Sequence, residues 1–349
     1  MNFSAVNPIG YSLYMRYMDE HPCWTFIASA LAFCLIGTIG IASNGTVIYV
    51  TIKTKKLHGT TFVLLALTSA FELVHLCGEY LFLYVALSGQ NFIDYQLAVQ
   101  ICAPSVFAVE LISPTMLFIG IDRLISVTFV NFYKTVKLFP YIGGMLFISA
   151  LHSALVIYPI FTTAYTTPTM KITGFIGDLF QGDLVKQMLQ IGLYLNIATI
   201  FVYIVTGLKI RTQLTANSTT SAQSNKRIFN SICLIVFFNV GGYFVQKCVR
   251  LIIVPEFISS PVTVWFVLLI AGLPLMISAS SNAFILYFSS SRYRNAFGTE
   301  WTKLRSIIGI GPSLNNHHTN NNNAQIMLPM TTVNRINANI VSPQIQQRI

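Results

Sequence analysis

GIDRLISV, residues Gly120 to Val127, ends a long apolar stretch and places an acid and a base side by side, Asp122 and Arg123. An arginine at the end of a membrane helix is costly unless it reaches water or a partner, and the neighbouring carboxylate is one such partner. One interpretation of the pair is an anchor at the water boundary. The other is a switch, in which Arg123 exchanges Asp122 for another acceptor when the surrounding helices move.

The composition is too apolar for a water-soluble protein of this size. Of the 349 residues, 54% are hydrophobic and 9% are charged, whereas soluble domains have about 25% charged residues. The net charge of +10 could indicate nucleic-acid binding, but the Lys and Arg residues lie in short clusters between apolar runs, as in the loops of membrane proteins. The sequence therefore predicts a multi-pass membrane protein that contacts lipids and has no nucleic-acid partner.

Seven apolar stretches are each long enough to cross about 30 Å of hydrocarbon. They predict an all-α fold, a seven-transmembrane helix bundle, over residues 23–290. Residues 1–22 are predicted to be an amino-terminal segment with a glycosylation sequon at Asn2, and residues 291–308 a short amphipathic helix after the seventh span. Residues 309–349 are rich in Asn and Gln, which is typical of disorder. The predicted spans are residues 24–52, 60–87, 98–125, 139–163, 184–210, 228–254 and 262–288.

The distribution of basic residues predicts the orientation of the bundle. One set of loops carries most of the Lys and Arg residues, for example Lys53, Lys134 and Arg292, whereas the other set carries most of the acids. Basic loops stay in the cytoplasm. The amino terminus is therefore predicted to be extracellular, and the amphipathic helix and the tail to be cytoplasmic.

Three polar side chains are predicted to lie deep in the membrane on three different spans, Asn44, Glu72 and Asn282. Each could be packing glue, because amides and hydroxyls bond across membrane helices. Together with the Asp122-Arg123 pair they favour a polar switch network on the cytoplasmic side. A buried Glu72 has to be neutral, paired or bound to a cation such as Na⁺.

A second group of side chains is predicted nearer the outer face, as candidates for a ligand pocket. Lys247 and Arg250 lie three residues apart and share a helix face, so they either extend to the lipid headgroups or face the bundle and meet an anionic or polar ligand. Glu110 is deeper and is expected to point inward beside a kink at Pro114. The group is Glu79, Glu110, Tyr243, Gln246, Lys247, Arg250 and Trp265.

Over roughly residues 24–305, this pattern resembles the rhodopsin-like G-protein-coupled receptors. Asn44 stands where that family has the Asn of its first helix, and Glu72 where most members carry Asp. The run Asp122-Arg123-Leu124 is similar to the family's Asp-Arg-Tyr motif. The run from Asn282 to Tyr287 is loosely similar to its Asn-Pro-x-x-Tyr motif.

Finer features resemble the nematode serpentine chemoreceptors, above all class sx. They are LCGEYLFLY at residues 76–84, GIDRLISV, VNFYK at residues 130–134 and SSSRYRNAF at residues 289–297. The resemblance implies a receptor in the plasma membrane, including the ciliary membrane of a sensory cell. It implies an extracellular small molecule or peptide as ligand and a heterotrimeric G protein as inner partner. The implied coupling residues are Asp122, Arg123, Tyr133 and Tyr287.

The chain departs from the family pattern at several positions. Leu124 replaces Tyr, Ala283 replaces the Pro of the seventh helix, and GGYFVQK at residues 241–247 replaces Cys-Trp-x-Pro. Ser105, a further pocket candidate, stands close to the ligand-binding Asp of amine receptors, so the resemblance does not support an amine ligand.

The family's disulfide is also in question. Cys102 stands near the family position, but the loop at residues 164–183 contains no cysteine. Cys102 is therefore expected to be unpaired or to bridge Cys23.

The sequence also bears on two other functional classes. Glu72, His75 and Glu79 fall on one helical face, which would suit a seven-helix transporter or proton-coupled carrier. The two halves of the chain show no repeat of the kind usual in transporters. No enzyme, metal site or cofactor is predicted, because the loops lack a nucleophile, base and acid set and the cysteine spacing does not fit a metal site.

Overall fold

The computed structural model describes residues 7–216 and 220–307. The predicted sequon at Asn2 and the predicted disordered tail at residues 309–349 lie outside the described residues. The chain divides into two compact units, residues 1–304 and residues 305–349, and only residues 305–307 of the second are described. Apart from the last three residues of the final helix, all features below belong to the first unit.

Seven described helices are long and apolar enough to cross a membrane, which confirms the predicted all-α seven-helix bundle. They are numbered here as the first to seventh spans, in chain order. The amino-terminal face is the end of the bundle where the first span begins, and the carboxyl-terminal face is the opposite end. The spans are Trp24–Lys53, Thr60–Leu87, Tyr95–Thr128, Leu138–Thr166, Asp183–Gln213, Val236–Phe257 and Pro261–Ser280.

The third span lies at the centre of the bundle. It contacts the second, fourth, fifth and sixth spans, and Ile112, Met116 and Ile119 are essentially fully buried on it. One face of this helix is therefore covered by protein almost to its end at Thr128, where Asp122 and Val127 are still buried.

Two of the spans are not continuous α-helices, and the seventh is followed directly by a separate helix. The second divides at Glu79 into Thr60–Gly78 and Tyr80–Leu87. The sixth belongs to the long helix Thr220–Cys248, which passes through the π-helical turn Val249–Ile253 into Val254–Phe257. The seventh ends at Ser280, and Asn282–Ser289 follows as a separate short helix. Such interruptions in membrane helices are frequent at functional sites.

The segments at the amino-terminal face are more ordered than predicted. The helix Pro8–Tyr17 begins at Asn7, whose side-chain oxygen accepts a hydrogen bond from Gly10 N at 2.7 Å. Strand β1, Ile93–Asp94, pairs antiparallel with strand β2, Lys171–Ile172. Strand β2 belongs to the loop that joins the fourth and fifth spans, here called the 167–182 loop. This loop also contains the 3₁₀ helix Ile176–Leu179.

A helix from Ser291 to Ile307 follows the seventh span, where the sequence predicts an amphipathic helix. Tyr293 anchors it to the bundle, because this side chain is fully buried, its ring contacts Phe62, and its hydroxyl lies 3.0 Å from the Thr51 hydroxyl. Burial raises the pKa of Tyr293 to about 12. The basic segment is therefore packed against the first and second spans.

Candidate functional site

A closed cluster of hydrogen bonds surrounds Asp122 at the carboxyl-terminal face. Arg123 donates to the Asp122 carboxylate from Nη2 at 2.6 Å and from Nε at 3.1 Å. Thr61 of the second span and Tyr133 also donate to it, at 2.8 and 2.9 Å. Asp122 is fully buried, and the Arg123 side chain is only 14% exposed. These four residues, the Asp122 cluster, hold the guanidinium within the bundle.

Tyr133 closes this cluster from the short helix Val130–Thr135. Its hydroxyl accepts a hydrogen bond from Arg123 Nη2 at 3.0 Å while donating to Asp122. Burial, and then the negative charge of Asp122, raises the pKa of Tyr133. The hydroxyl therefore stays protonated and remains a donor, and the helix after the third span is tied to the third span's end.

Tyr287 occupies a different place. Its side chain is 44% exposed, its ring contacts Phe288 and Phe297, and its backbone oxygen accepts from Arg294 at 3.1 Å. Three of the four predicted coupling residues are thus brought together, and Tyr287 lies beside the last helix instead.

The deep polar residues form a chain of side-chain amides. Asn282 donates to Asn44 at 2.8 Å, and Asn239 donates to Asn282 at 2.9 Å. Asn44 also donates to the backbone oxygens of Gly40 and Ala279. All three amides are at least 97% buried. This amide chain connects the first span, the sixth span and the short helix after the seventh.

Asn239 was not among the predicted site residues, although a sequence signal was present. It is a lone amide within the apolar run at residues 232–240, and polar groups at that depth are costly without a partner. Glu72 was predicted to belong with Asn44 and Asn282, but its described hydrogen bonds come from the Tyr243 hydroxyl, at 3.1 and 3.2 Å. Glu72, on the second span, is therefore bonded to the sixth span at Tyr243 and not to the other two predicted residues.

A cavity of about 50 Å³ lies nearer the amino-terminal face. Six of the eight predicted pocket residues line it, together with His75 and Phe175 to Gly177 of the 167–182 loop. Ser105 does not line it; its hydroxyl donates to Val74 O at 2.9 Å, where Gly78 lets the second and third spans approach closely. Trp265 does not line it either, and its indole donates a hydrogen bond to Asp178 of the loop. The six are Glu79, Glu110, Tyr243, Gln246, Lys247 and Arg250.

Both predicted cations face the protein. Lys247 is 3% exposed, its ammonium donates to Ser113 at 3.3 Å, and it occupies the space beside Gly192 that a side chain would fill. Arg250 donates to the backbone oxygens of Gly177 at 3.1 Å and Phe180 at 2.5 Å. Of the two alternatives, contact with lipid headgroups or a position inside the bundle, the structure shows the second.

The cavity wall contains polar atoms without a hydrogen-bond partner. Among the described residues, these include Oε2 of Glu79, Oε2 of Glu110 and both imidazole nitrogens of His75. The nearest basic nitrogen to Glu110 Oε2 is His152 Nε2, at 3.7 Å. All three wall side chains are at least 96% buried, and such groups are costly unless something satisfies them.

Asp178 holds the 167–182 loop against the bundle. Its carboxylate accepts hydrogen bonds from the Thr173 hydroxyl at 2.6 Å, from Thr173 N at 3.2 Å and from Trp265 Nε1 at 2.9 Å. Burial raises the pKa of Asp178, and these hydrogen bonds counteract the rise. The sequence ITGFIGDLF at residues 172–180 carries five apolar residues, which was the available signal that this loop is packed rather than solvated.

The structure also shows the state of the cysteines and of the potential metal ligands. All six cysteines lie in the described ranges and are free, so Cys102 and Cys23 are not bridged. Cys102 is buried, and its thiol approaches Gly78 O at 3.8 Å. Within residues 7–216 and 220–307, no group of three or more His, Cys, Asp or Glu side chains could hold a metal ion.

The comparisons with known proteins bear on this arrangement. No curated protein matches the chain. The family model described as the serpentine-type seven-transmembrane GPCR chemoreceptor Srsx matches residues 37–301. That match takes in the Asp122 cluster, the amide chain and the cavity, and it confirms the resemblance drawn from the sequence. The chain is therefore a multi-pass membrane protein that belongs to the Srsx family of serpentine chemoreceptors.

Proposed function

We propose that this chain is a chemosensory receptor that converts the binding of an extracellular small molecule or peptide into a helix rearrangement sensed by a heterotrimeric G protein. The observation that carries the proposal is the Asp122 cluster. A guanidinium that is only 14% exposed is held by groups from three segments at the face where the basic last helix docks. A change in any of those segments alters the partners of Arg123.

The proposed orientation places the amino-terminal face outside the cell. The basic loops support it, because Lys53, Lys134 and Arg292 all lie toward the carboxyl-terminal face, and basic loops stay in the cytoplasm. In this orientation the cavity and the 167–182 loop meet the ligand, and the Asp122 cluster meets the cytoplasm. An epitope tag ahead of residue 7 should be accessible on intact cells, and a tag after residue 349 only after permeabilisation.

The ligand acts by preferring one arrangement of the bundle to another, since only differential affinity shifts a population. The sixth span connects the two ends. It carries Lys247 and Arg250 at the cavity, Tyr243 at Glu72, and Asn239 in the amide chain. Movement of this span toward the G-protein-binding state would release Arg123 from Asp122.

The test is expression of the full chain in a reporter cell, with calcium and cAMP measured against a broad panel of odorants and metabolites. Arg123→Ala should abolish the response while surface expression is kept, and Arg16→Ala, at an exposed arginine of the amino-terminal helix, should leave it unchanged. An unaltered response of the Arg123→Ala receptor would contradict the proposed coupling.

The carrier alternative draws on His75 and Glu79, which both line the cavity, while Glu72 is bonded to Tyr243. Family membership favours the receptor. A ligand-driven proton current in cells that lack G-protein signalling would favour the carrier instead.

A further inference from the structure

The cavity wall is unequal in its hydrogen bonding. Its cationic groups are occupied, since Arg250 is bonded to two carbonyl oxygens of the 167–182 loop and Lys247 to Ser113. Its anionic groups are not, since Glu79 and Glu110 each have a buried carboxylate oxygen without a hydrogen-bond partner. A ligand that fills this cavity therefore finds two unused carboxylate acceptors.

The charges around the cavity point the same way. Two of the carboxylates have cationic counterparts, since Asp178 interacts electrostatically with Arg250, and Glu110 with Lys247. Glu79 is the third carboxylate, and it interacts with Asp178, which carries the same sign of charge. A positive charge from outside would give Glu79 the counterpart that the other two carboxylates already have. Burial of an unbalanced charge is costly, so a cation gains where an anion would add to the excess.

The size of the cavity limits what can enter. On the same scale a water molecule needs about 10–15 Å³, so about 50 Å³ admits a small headgroup and not a whole metabolite. A charged N–H donor of that size can satisfy two acceptors at once, because an ammonium has three donor hydrogens. The imidazole of His75, with both nitrogens unpartnered, offers a third contact.

We propose that the cavity binds the ammonium group of an extracellular amine, which donates hydrogen bonds to Glu79 and Glu110. This inference rests on the proposed receptor function and specifies its ligand class. The family resemblance does not support an amine ligand, because Ser105 stands close to where amine receptors carry their ligand-binding Asp; Ser105, however, lies outside this cavity. The carboxylates inside it come from other positions, one at the interruption of the second span and one in the middle of the third.

The test measures binding without a G protein. The full chain in lipid nanodiscs is heated with butylamine, butanamide or butyrate over the same series of concentrations. Butylamine should raise the midpoint of unfolding in a concentration-dependent way, whereas butanamide and butyrate should have little effect. A larger rise with butyrate than with butylamine, or no rise with butylamine, would overturn the inference.

Glu79→Gln and Glu110→Gln variants locate the effect. Each keeps the size of the side chain and removes its charge, so the affinity for butylamine should fall about tenfold or more, as expected for the loss of a charged hydrogen bond. Glu256→Gln, at an exposed acid near the same face, is the matched control and should bind like the parent chain. Unfolding without any additive reports whether each variant is folded. Equal affinity in all three variants would overturn the assignment.

The outcome separates this inference from the receptor function. Binding of butylamine without any G-protein response would support the amine site and count against the proposed signalling. A G-protein response to carboxylates and to no amine would support the proposed signalling and count against the amine site.

Discussion

The Asp122 cluster and the cavity are both buried and polar, but they are satisfied to different degrees. At Asp122 every contact is closed, with Thr61, Arg123 and Tyr133 all within 3.1 Å. In the cavity, Glu79 and Glu110 keep unpartnered oxygens. A fully hydrogen-bonded cluster specifies one arrangement of the helices. Buried groups without partners can instead be stabilised by hydrogen bonds to a ligand, and the free energy gained can shift the population of states. The difference predicts opposite responses to mutation.

The largest expected effect is destabilisation by Asp122→Ala. The substitution leaves the Arg123 guanidinium buried with only the Tyr133 hydroxyl, and removing one partner of a buried ion pair costs about 3–5 kcal/mol. Thermal unfolding of the chain in nanodiscs should show a clear fall in the midpoint. Signalling without ligand should rise in cells, because the proposed restraint on Arg123 is gone.

The matched control for that variant is Asp94→Ala. Asp94 pairs with Lys171 at 2.8 Å, but both side chains are more than a third exposed, and exposed pairs contribute about 0–1 kcal/mol. If the unfolding midpoint falls equally in both variants, the Asp122 cluster contributes no more to stability than this exposed ion pair.

The next effect has the opposite sign. Replacing Glu79 by Leu removes a buried carboxyl group whose Oε2 has no partner, and such groups cost about 1–3 kcal/mol. The unfolding midpoint of Glu79→Leu should therefore be unchanged or higher, while the response to ligand is lost. A fall in the midpoint similar to that of Asp122→Ala would show that the cavity is satisfied after all.

A smaller coupling is expected within the amide chain. Asn239→Leu and Asn282→Leu each break the same hydrogen bond, so their effects should not add, with a coupling of about 0.6–1.7 kcal/mol as for other polar pairs in membrane proteins. The measurement is a double-mutant cycle of unfolding free energies. Additive effects would mean that the two amides act independently, despite their 2.9 Å contact.

The smallest effect is a pH dependence at Asp178. Because burial raises the pKa of Asp178 in the folded protein, the folded state binds its proton more tightly than the unfolded state. The contribution of this group to stability is thus largest at low pH and falls as pH rises from the ordinary value of 3.8 through the raised pKa. Arg250 and Glu79 are the charged groups that interact with it.

That dependence is measured as the difference in unfolding midpoint between the parent chain and Asp178→Asn across this pH range. The difference should change in the sense that the parent chain loses stability relative to the variant as pH rises. A difference that stays constant with pH would contradict the raised pKa.

The helices and the Asp122 cluster were largely predictable from the sequence. The spans follow from apolar runs with a fixed length requirement, and the contact between Asp122 and Arg123 follows from adjacency. Thr61 was not predictable, since a hydroxyl near the start of a helix has many local partners. Its bond to Asp122 depends on how the second and third spans pack.

The cavity was predictable only in part. Six of its polar residues could be chosen because they are costly in hydrocarbon, but their partners could not. Lys247 contacts Ser113 across 134 residues of sequence, and Arg250 reaches the 167–182 loop from a π-helical turn. For the 167–182 loop, the sequence offers only five apolar residues at 172–180 as a sign of packing. Its burial depends on β1, on Asp178 and on Trp265, which come from three separate segments.

The hydrogen bond between Trp265 and Asp178 makes the molecule its own optical probe. Trp265 is 2% exposed, whereas the other two tryptophans, Trp24 and Trp301, are 70% and 55% exposed. With Phe at positions 24 and 301, the remaining indole should fluoresce in the blue, as a shielded indole does. If an arriving molecule displaces the 167–182 loop, the indole loses its acceptor and its emission shifts, so occupancy could be followed in real time without a label.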